Sequence, residues 1–390
     1  MIYLNNAASS WPKPKCVTDA LNWYTQRMPG EQFRSAMTET GENIMETCRR
    51  SLGGILGIKK WERIFFTSGA TESANLFLQG MDWTDSRILV AETEHNCILR
   101  PLWNLPGLRE KVDILPCDRK GYVQLSALKD VPAGKGVVIV SQCSNVTGAI
   151  QPMDEIAKEA KKKGYYLAVD VSQSAGCIPV EGDKWNADIL IFTGHKSLLG
   201  PLGTGGIYIR ESLSVRPLKY GGTGKDSAKL SYVYSAYEYE PGTQNIPGIA
   251  ALKAGAEYIQ EIGVDQIYCK EQEDIAYLLS KLKKIRRFRL FGPEGEEVRG
   301  PVLSFGMDGL KPSDIAYILE ESYGIIVREG LQCAPLLHDR IGSGKEGTVR
   351  ISISWATKRE ELDAFIEAIR EIGGVLTHAD SGGQTFGGSM

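Results

Sequence analysis

The stretch ADILIFTGHKSLLGPLGTGG, residues 187–206, gives the clearest indication of the fold and of a reaction site. Residues 189–192 form a continuous apolar run without alternation, which predicts a strand buried on both faces of a sheet. A short polar turn that contains Thr193 and His195 follows and leads to Lys196. Lysine is almost never fully buried unless it is paired, so a lysine directly after a buried strand is a candidate chemical group rather than a surface charge.

The residues around this stretch predict an α/β fold. Short apolar runs recur between residues 60 and 210, and amphipathic helical patterns such as residues 153–163 separate several of them. This alternation predicts a mostly parallel central sheet with helices on both faces. The predicted strands cover residues 64–67, 87–91, 112–115, 137–141, 166–169, 189–192 and 206–209.

The length of 390 residues predicts more than one domain. We expect a large domain at residues 15–250, a smaller α+β domain at residues 251–373, and an N-terminal segment, residues 1–14, that packs with the small domain. Residues 217–241 are rich in Gly, Ser and Tyr, which predicts a long irregular connection. Residues 374–390 end in a Gly- and Ser-rich run, and we expect a disordered tail there.

Composition and charge narrow the class of protein. The hydrophobic content of 42% and the charged content of 24% are ordinary for a globular protein, and the net charge of −3 argues against a general nucleic-acid-binding surface. No apolar run approaches the roughly 18 residues that cross a bilayer, and the first residues lack the pattern of a signal peptide. The eight cysteines contain no CxxC pair, so neither a metal cluster nor a disulfide framework is predicted. A cytoplasmic enzyme is therefore expected.

Polar residues lie at the ends of several predicted strands, which is where ligands bind in open α/β sheets. Residues 66–72, FTSGATE, run from a strand through a glycine into a helix. The unpaired amides at the start of such a helix, with the hydroxyls of Ser68 and Thr71, are suited to bind a phosphate. An ordinary helix cap is the alternative interpretation of the same residues.

Two more strand ends carry polar side chains whose interpretation stays open. His95 follows the strand predicted at residues 87–91, where it either stacks on an aromatic ligand or is a structural histidine. Asn145 lies with Gly148 in SNVTG, where the two residues either form an ordinary turn or belong to a ligand site.

Asp170 and Lys196 form the strongest combination. Asp170 follows the strand predicted at residues 166–169, and Lys196 follows the strand predicted at residues 189–192. With the phosphate site, this pair is what pyridoxal phosphate requires. The lysine forms a Schiff base, the aspartate keeps the pyridine nitrogen protonated, and helix amides bind the phosphate. A buried ion pair is the alternative, but it is energetically costly and leaves the phosphate site unexplained.

Seven motifs occur in one order along the chain: SGATE, TEHN, SNVTG, VDVSQ, TGHK, EPGTQN and REGLQCAP. With them, the chain from YLNNAASS to VRISISWATKREELDAF resembles the cysteine desulfurases, which belong to the class-V aminotransferase group of fold-type I pyridoxal-phosphate enzymes. The resemblance implies pyridoxal 5'-phosphate as cofactor and a homodimer with shared active sites. It also implies conversion of L-cysteine to L-alanine, with the sulfur held on Cys333 as a persulfide for an acceptor protein, as in iron–sulfur cluster assembly.

The resemblance implies a set of cofactor-binding residues. Lys196 matches the Schiff-base lysine, Asp170 the partner of the pyridine nitrogen, and His95 the histidine that stacks over the ring. Gln173 matches the residue near the phenolic oxygen of the cofactor, and Asn145 matches an asparagine that faces substrate or cofactor. The matching phosphate ligands are Ala70, Thr71, Thr193, His195 and, reaching from the neighbouring subunit, Thr243.

Cys333 is the residue that selects the reaction. It matches the desulfurase nucleophile, within the motif RxGxxCAP at residues 328–335, whereas the other seven cysteines are interpreted as structural. A thiolate is the reactive form, and a nearby cation such as Arg328 favours it. Arg350 matches the arginine that pairs with the substrate carboxylate, a task suited to a planar guanidinium. Arg328 and Asn145 complete the implied substrate site.

Three features of the sequence depart from the resemblance or extend it. Asn5 and Asn6 stand where many relatives carry an aspartate. The segment after Cys333 is compact, as in the short-loop desulfurases that need an activating acceptor protein. His338, in that segment, is either a second proton carrier or a structural histidine.

Other functions remain as alternatives. A selenocysteine lyase, which the chain also resembles, has the same cofactor and a similar cysteine, and it acts on L-selenocysteine. An aminotransferase or epimerase of the same fold has no need of Cys333. A sulfur-relay scaffold without activity is the non-enzymatic alternative, and the intact set of Lys196, Asp170 and Arg350 argues against it.

Overall fold

The structure is a computed structural model that describes residues 1–26, 43–222, 228, 230, 236–295 and 297–382. Its strands are β1 (Ile2–Tyr3), β2 (Ile64–Thr67), β3 (Arg87–Ala91), β4 (Val112–Leu115), β5 (Gly136–Ser141), β6 (Tyr166–Asp170), β7 (Ile189–Thr193), β8 (Gly205–Ile209), β9 (Phe288–Phe291), β10 (Val302–Met307), β11 (Ile325–Ile326), β12 (Arg328–Gly330) and β13 (Thr348–Ser352). Its α-helices are α1 (Lys15–Gln26), α2 (Ile44–Ile55), α3 (Ala70–Gly80), α4 (Asn96–Asn104), α5 (Leu125–Asp130), α6 (Met153–Lys163), α7 (Ile246–Ile262), α8 (Val264–Leu282), α9 (Pro312–Tyr323), α10 (Pro335–Ile341) and α11 (Arg359–Gly382).

Seven strands form the central sheet, in the spatial order β2-β8-β7-β6-β5-β3-β4. The five strands from β7 to β4 in that order run parallel, whereas β8 is antiparallel to both of its neighbours. The mostly parallel sheet predicted from the sequence is therefore confirmed. The structure gives β2, β3, β4 and α6 the same bounds as the sequence predicted, and the other strands of this sheet differ by one residue.

Both faces of the central sheet are covered, which explains why its strands are apolar without alternation. On β5, Val138 and Val140 belong to one core, which also contains residues of α2 and α6. Val137 and Ile139 point to the opposite core, which contains residues of α3 and α4. Successive side chains of a strand point to opposite faces, so the four consecutive positions 137–140 of β5 are all apolar.

A glycine of β8 brings the start of α3 close to the sheet. A Cβ atom at Gly205 would lie 2.6 Å from the Cα of Gly69 and 2.8 Å from the carbonyl oxygen of Phe192. Gly69 itself has a φ of +149°, a backbone conformation that residues with side chains rarely adopt. The two glycines therefore let the turn before α3 pack directly on β8, beside the end of β7.

A second, four-stranded antiparallel sheet in the order β12-β13-β10-β9 lies in the C-terminal part of the chain. Its apolar residues form a separate core with α8, α9 and α11. The boundary expected at residue 250 falls inside the continuous helix α7. We propose instead that the two domains divide at Gly263, between α7 and α8.

The N-terminal segment reaches both parts of the chain. β1 pairs in parallel with β11, and Asn5 forms a bridge with Ser352 at the end of β13. Further on, the hydroxyl of Ser10 donates to the carbonyl oxygen of Lys196 at 2.8 Å. This segment therefore contacts the antiparallel sheet and the turn after β7 at the same time.

The C-terminal end differs from the expected disordered tail. Helix α11 continues to Gly382, so residues 374–382 are helical, and residues 383–390 lie outside the described residues. Glycine inside a helix costs only about 1 kcal/mol relative to alanine, so Gly373 and Gly374 do not end α11.

The predicted irregular connection, residues 217–241, also lies partly outside the described residues, and a 3-10 helix, Ala236–Tyr239, forms near its end. No helix in the described part of the chain is long and apolar enough to span a membrane.

Candidate active site

A cavity of about 330 Å³, here called the central cavity, lies where the carboxyl ends of the parallel strands face the antiparallel sheet. Asp170 at the end of β6 and Arg350 on β13 both line it. The predicted site residues that line it are Ala70, Thr71, His95, Asn145, Asp170, Gln173, Thr193, His195, Lys196, Arg328, Cys333 and Arg350. Thr243 does not line it and is exposed, so its predicted reach into a neighbouring subunit stays a prediction.

Lys196 and Asp170 come from neighbouring strands. Asp170 pairs with Ile191 in the parallel register of β6 and β7, and Lys196 follows β7 in the next turn. The backbone amide of Ser172 donates to Asp170 Oδ1 at 2.8 Å, which fixes the carboxylate. Burial lowers the pKa of the Lys196 ammonium, and the charge of Asp170 opposes that shift only in part. The amine of Lys196 therefore loses its proton more readily than an exposed lysine does.

His95 is fixed in one tautomer by the helix that follows it. It is the N-cap residue of α4, and its Nδ1 accepts a hydrogen bond from the backbone amide of Cys97 at 3.0 Å. The ring proton must therefore lie on Nε2. Burial, together with the charge of Lys196, lowers the pKa of His95 to about 4. At neutral pH the imidazole is uncharged and its Nε2–H is a hydrogen-bond donor.

The start of α3 is suited to bind an anion. No side chain caps this helix, whose N-cap residue is Gly69, so its first backbone amides are available to a ligand. Thr193 and His195 also line the central cavity, and His195 Nδ1 is buried without a hydrogen-bond partner. Burial also lowers the pKa of His195 to about 4. An unpartnered ring nitrogen and uncapped amides that line one cavity fit the phosphate group of the cofactor expected from the sequence.

Arg350 is a buried cation that contacts no carboxylate among the described residues. It is 2% exposed, and its Nη1 donates to the carbonyl oxygen of Asn145 at 2.9 Å while its Nη2 donates to Asn5 Oδ1 at 3.2 Å. Its Nε is buried and has no partner. Burial, with a contribution from the nearby charge of Arg328, lowers the pKa of Arg350 to about 9. An unneutralised guanidinium at the cavity wall is suited to bind a carboxylate.

Cys333 differs from the other two cysteines that line the central cavity. Cys97 and Cys143 are buried, and burial raises the pKa of both thiols, that of Cys143 to about 12. Cys333 is only partly buried, and its Sγ lies 3.6 Å from Nη2 of Arg328. A partly exposed thiol can reach a substrate in the cavity, whereas a buried thiol with a raised pKa stays protonated. Cys333 is therefore the thiol of this cavity best placed to act as a nucleophile.

His338 has a structural environment. It is 1% exposed and does not line the central cavity. Its Nε2 lies 2.9 Å from the carbonyl oxygen of Leu331, which can only accept, and its Nδ1 lies 2.7 Å from the hydroxyl of Ser343. Both ring nitrogens of His338 have hydrogen-bond partners, so the structure favours a structural histidine over a second proton carrier.

Two residues near the site had no assigned role in the sequence analysis. Glu94 is fully buried and accepts hydrogen bonds from the backbone amide and, at 2.9 Å, from the hydroxyl of Ser141. Burial, with the charge of Asp170, raises the pKa of Glu94 to about 8. Gln332 is 3% exposed and immediately precedes Cys333. Their partners are distant in sequence, and the only signal was their presence inside the motifs TEHN and REGLQCAP.

Comparison with known proteins gives the family of this chain. The family model described as aminotransferase class-V matches residues 2–365. Proteins named probable cysteine desulfurase from Xylella fastidiosa and Pyrococcus abyssi are 32% and 30% identical, over 95% of this chain and 91% and 94% of theirs. An apo structure of a cysteine desulfurase from Thermococcus onnurineus has a TM-score of 0.85 and 31% identity, covering 96% of this chain and 95% of that one.

This chain belongs to the class-V aminotransferase family and, within it, to the cysteine desulfurases. That family depends on pyridoxal phosphate, and the residues that line the central cavity fit this cofactor. The recognition of the family and the fold class expected from the sequence are thereby confirmed.

Proposed function

We propose that this protein is a pyridoxal-phosphate-dependent enzyme that removes the sulfur of L-cysteine, releases L-alanine and holds the sulfur on Cys333 as a persulfide. The observation that supports this most directly is that Cys333, Lys196 and Arg350 line one cavity, with Arg328 Nη2 at 3.6 Å from Cys333 Sγ. An aminotransferase or epimerase would need the lysine and the arginine but not a partly exposed thiol beside a cation.

The cofactor would be held by residues from several strand ends. The amides that begin α3, with Thr193 and His195, would bind its phosphate, Asp170 would bind its ring nitrogen, and Gln173 would lie near its phenolic oxygen. When bound, pyridoxal phosphate supplies an electron sink that stabilises negative charge on the α-carbon of an amino acid. The uncharged ring of His95, held by the Cys97 amide, would stack on the cofactor and donate from Nε2.

Lys196 and Arg350 would prepare the substrate. The guanidinium of Arg350 would bind the carboxylate of L-cysteine, which orients the α-carbon toward Lys196. Because burial lowers the pKa of Lys196, its ammonium gives up a proton more readily than that of an exposed lysine, and the resulting amine would accept the α-proton. Asn145, whose carbonyl oxygen accepts from Arg350, would keep this arginine in place.

Cys333 would perform the sulfur transfer. Its thiolate attacks the sulfur of the substrate, so that a sulfur–sulfur bond forms and the carbon–sulfur bond of L-cysteine breaks. The electron pair of the broken bond stays with the carbon fragment, which takes up a proton and leaves as L-alanine. One thiol and one L-cysteine thus give one persulfide and one L-alanine, and no external oxidant or reductant is needed.

Further parts of the proposal rest on the resemblance and on the sequence. They are a homodimer in which Thr243 reaches the phosphate in the neighbouring subunit, a sulfur-acceptor protein as in iron–sulfur cluster assembly, and a cytoplasmic location. The exposed position of Thr243 on the segment before α7 is compatible with a contact between subunits.

The experiment measures L-alanine and sulfide released from L-cysteine in the presence of a thiol reductant. The Cys333→Ala variant is expected to lose alanine release by roughly 100-fold or more, because the nucleophile is absent. Cys269→Ala is the matched control, since Cys269 is exposed on α8 and does not line the cavity. Retained desulfuration in Cys333→Ala would refute the proposal. Competition between L-cysteine and L-selenocysteine in the same assay separates the selenocysteine lyase alternative.

A further inference from the structure

The turn that carries Cys333 has an unusual backbone. Gln332 and Cys333 are consecutive residues with positive φ, of +41° and +60°, although neither is a glycine. The left-handed conformation is strained for a residue with a side chain, because its Cβ lies too close to the following carbonyl oxygen. It persists only where surrounding contacts hold it, and it is concentrated at functional sites.

The side chain of Gln332 supplies two of these contacts. Its Nε2 donates to the carbonyl oxygen of Thr348 at 2.9 Å, and its Oε1 accepts from the hydroxyl of Thr348 at 3.1 Å. Both ends of the amide are therefore bound to one residue at the start of β13. Arg350 lies two residues further along that strand, so the turn is attached to the same strand that carries the arginine.

Two backbone contacts fix the same turn to the other side of the cavity. The carbonyl oxygen of Gln332 accepts from Asn145 Nδ2 at 2.6 Å, and the carbonyl oxygen of Cys333 accepts from the backbone amide of Asn96 at 2.7 Å. Asn96 directly follows His95 at the start of α4. The turn is thus joined to the residues beside His95 and, through Asn145, to Arg350 again.

We propose that Gln332 is a positioning residue that holds the thiol of Cys333 at a fixed place over the central cavity. Its amide keeps the turn in the left-handed conformation, and without it the backbone relaxes and the thiol moves away from Arg328. The effect on turnover rests on the proposed function, because it concerns the reach of Cys333 to the substrate sulfur. The position of the thiol can be measured without any turnover.

The test uses the cofactor-loaded protein and two variants that weaken the contact in steps. Gln332→Ala removes both amide hydrogen bonds, and Thr348→Val removes only the bond from the hydroxyl. Thr348→Ser restores the hydroxyl and serves as the conservative rescue. Gln260→Ala is the matched control, because the amide of Gln260 also donates to a backbone carbonyl, that of Ser51 at 3.0 Å, and does not line the cavity.

The first measurement is the rate at which iodoacetamide alkylates Cys333, followed by peptide mass spectrometry in the absence of L-cysteine. We expect the rate to rise several-fold in Gln332→Ala, because the released turn exposes to the reagent a thiol that is only partly exposed in the wild type. The rate is expected to rise less in Thr348→Val and to return toward the wild-type value in Thr348→Ser. The second measurement is alanine release. A displaced nucleophile is expected to lower kcat by roughly 10- to 100-fold while KM for L-cysteine stays within about 2-fold, because the hydrogen bonds that Arg350 donates go to Asn145 and Asn5 and not to Gln332.

Wild-type alkylation and kcat in both Gln332→Ala and Thr348→Val would overturn the proposal. So would a lower melting temperature with unchanged alkylation and kcat, because it would assign to Gln332 a role in stability alone. If the variants change the alkylation rate but the wild-type protein releases no alanine, the positioning role stands and the proposed function fails. If Gln332→Ala does not fold, Thr348→Val decides the outcome with the same two measurements.

Discussion

Asn5 holds the side chain of Arg350 without neutralising its charge. Its side-chain oxygen accepts from Arg350 Nη2 at 3.2 Å, and the group that accepts is an amide and not a carboxylate. A carboxylate at this position would neutralise the guanidinium, whereas the amide orients Arg350 and leaves its charge to a ligand. Asn5 therefore leaves the positive charge of Arg350 available to bind the carboxylate of the proposed substrate.

The Asn5→Asp variant tests this interpretation. We expect KM for L-cysteine to rise by roughly 10-fold, because Arg350 would already be paired with a carboxylate. Asn5→Ala is the control, since it removes the hydrogen bond without adding a charge, and its KM is expected to change less. The measurement is the dependence of alanine release on L-cysteine concentration. Equal KM values in wild type and Asn5→Asp would contradict the role given to Asn5.

Glu94 makes the stability of the protein depend on pH. Its pKa is about 8 when folded, because burial and the charge of Asp170 disfavour the carboxylate, against an ordinary value of 4.5. A carboxyl group with a raised pKa binds more protons in the folded state, so the free energy of unfolding falls as the pH rises between these two values. Above the folded pKa the loss is complete and stays constant.

We expect the Glu94→Gln variant to gain stability relative to wild type as the pH rises, by up to about 5 kcal/mol once the folded pKa is passed. A glutamine amide cannot ionise, and it can still accept from the Ser141 amide and donate to the Ser141 hydroxyl. The measurement is urea unfolding of both proteins at about pH 5 and about pH 9. A difference in stability that is the same at both pH values would show that Glu94 does not titrate as described.

At the scale of elements, the phosphate site depends on how closely α3 approaches β8. The Gly205→Ala substitution would place a methyl group 2.6 Å from the Cα of Gly69, which moves the turn whose amides face the cavity. We expect the affinity for pyridoxal phosphate to fall by roughly 10-fold or more, because the amides no longer converge on one anion. The measurement is a spectroscopic titration of cofactor-depleted protein with pyridoxal phosphate. Gly374→Ala is the control, since nothing lies within 4 Å of that position, and equal affinities in the two variants would contradict the expectation.

The elements and the positions of the strand-end residues could be predicted because their signals are local. The continuous apolar runs of β5 and β7 mark strands covered on both faces, and the parallel pairing of β6 with β7 then brings Asp170 and Lys196 to one edge of the sheet. Contacts between distant positions could not be predicted, because no local pattern marks them. Glu94 and Ser141 are 47 residues apart, and Asn5 and Arg350 are 345 residues apart. The helical end of α11 could not be predicted either, because glycines such as Gly373 and Gly374 disfavour a helix.

At the scale of the whole molecule, Arg299 joins the two parts of the chain. It is 2% exposed, and its guanidinium donates to the carbonyl oxygens of Pro293, Thr147 and Val302 at 2.7 to 2.8 Å. Thr147 belongs to the loop after β5, and Val302 begins β10 of the antiparallel sheet. The central cavity lies between these two sheets, so Arg299 helps to fix its walls.

We expect Arg299→Ala to lower the free energy of unfolding by about 3 kcal/mol or more, because three buried carbonyl oxygens lose their donor. Arg286→Ala is the control, since Arg286 is exposed, and its effect is expected to stay within about 0.5 kcal/mol. Urea unfolding measures both. Equal stabilities of the two variants would contradict the role of Arg299 as a link between the sheets.

The account as a whole depends on the fate of the substrate sulfur, and mass spectrometry measures it directly. The protein is incubated with L-cysteine without reductant or acceptor and is then digested. The masses of the cysteine-containing peptides and the amount of L-alanine are measured. The account predicts a gain of one sulfur atom on the peptide that contains Cys333 and one L-alanine for each modified site. L-alanine formation with an unmodified Cys333, or with the added sulfur on Cys97 or Cys143 instead, would contradict it.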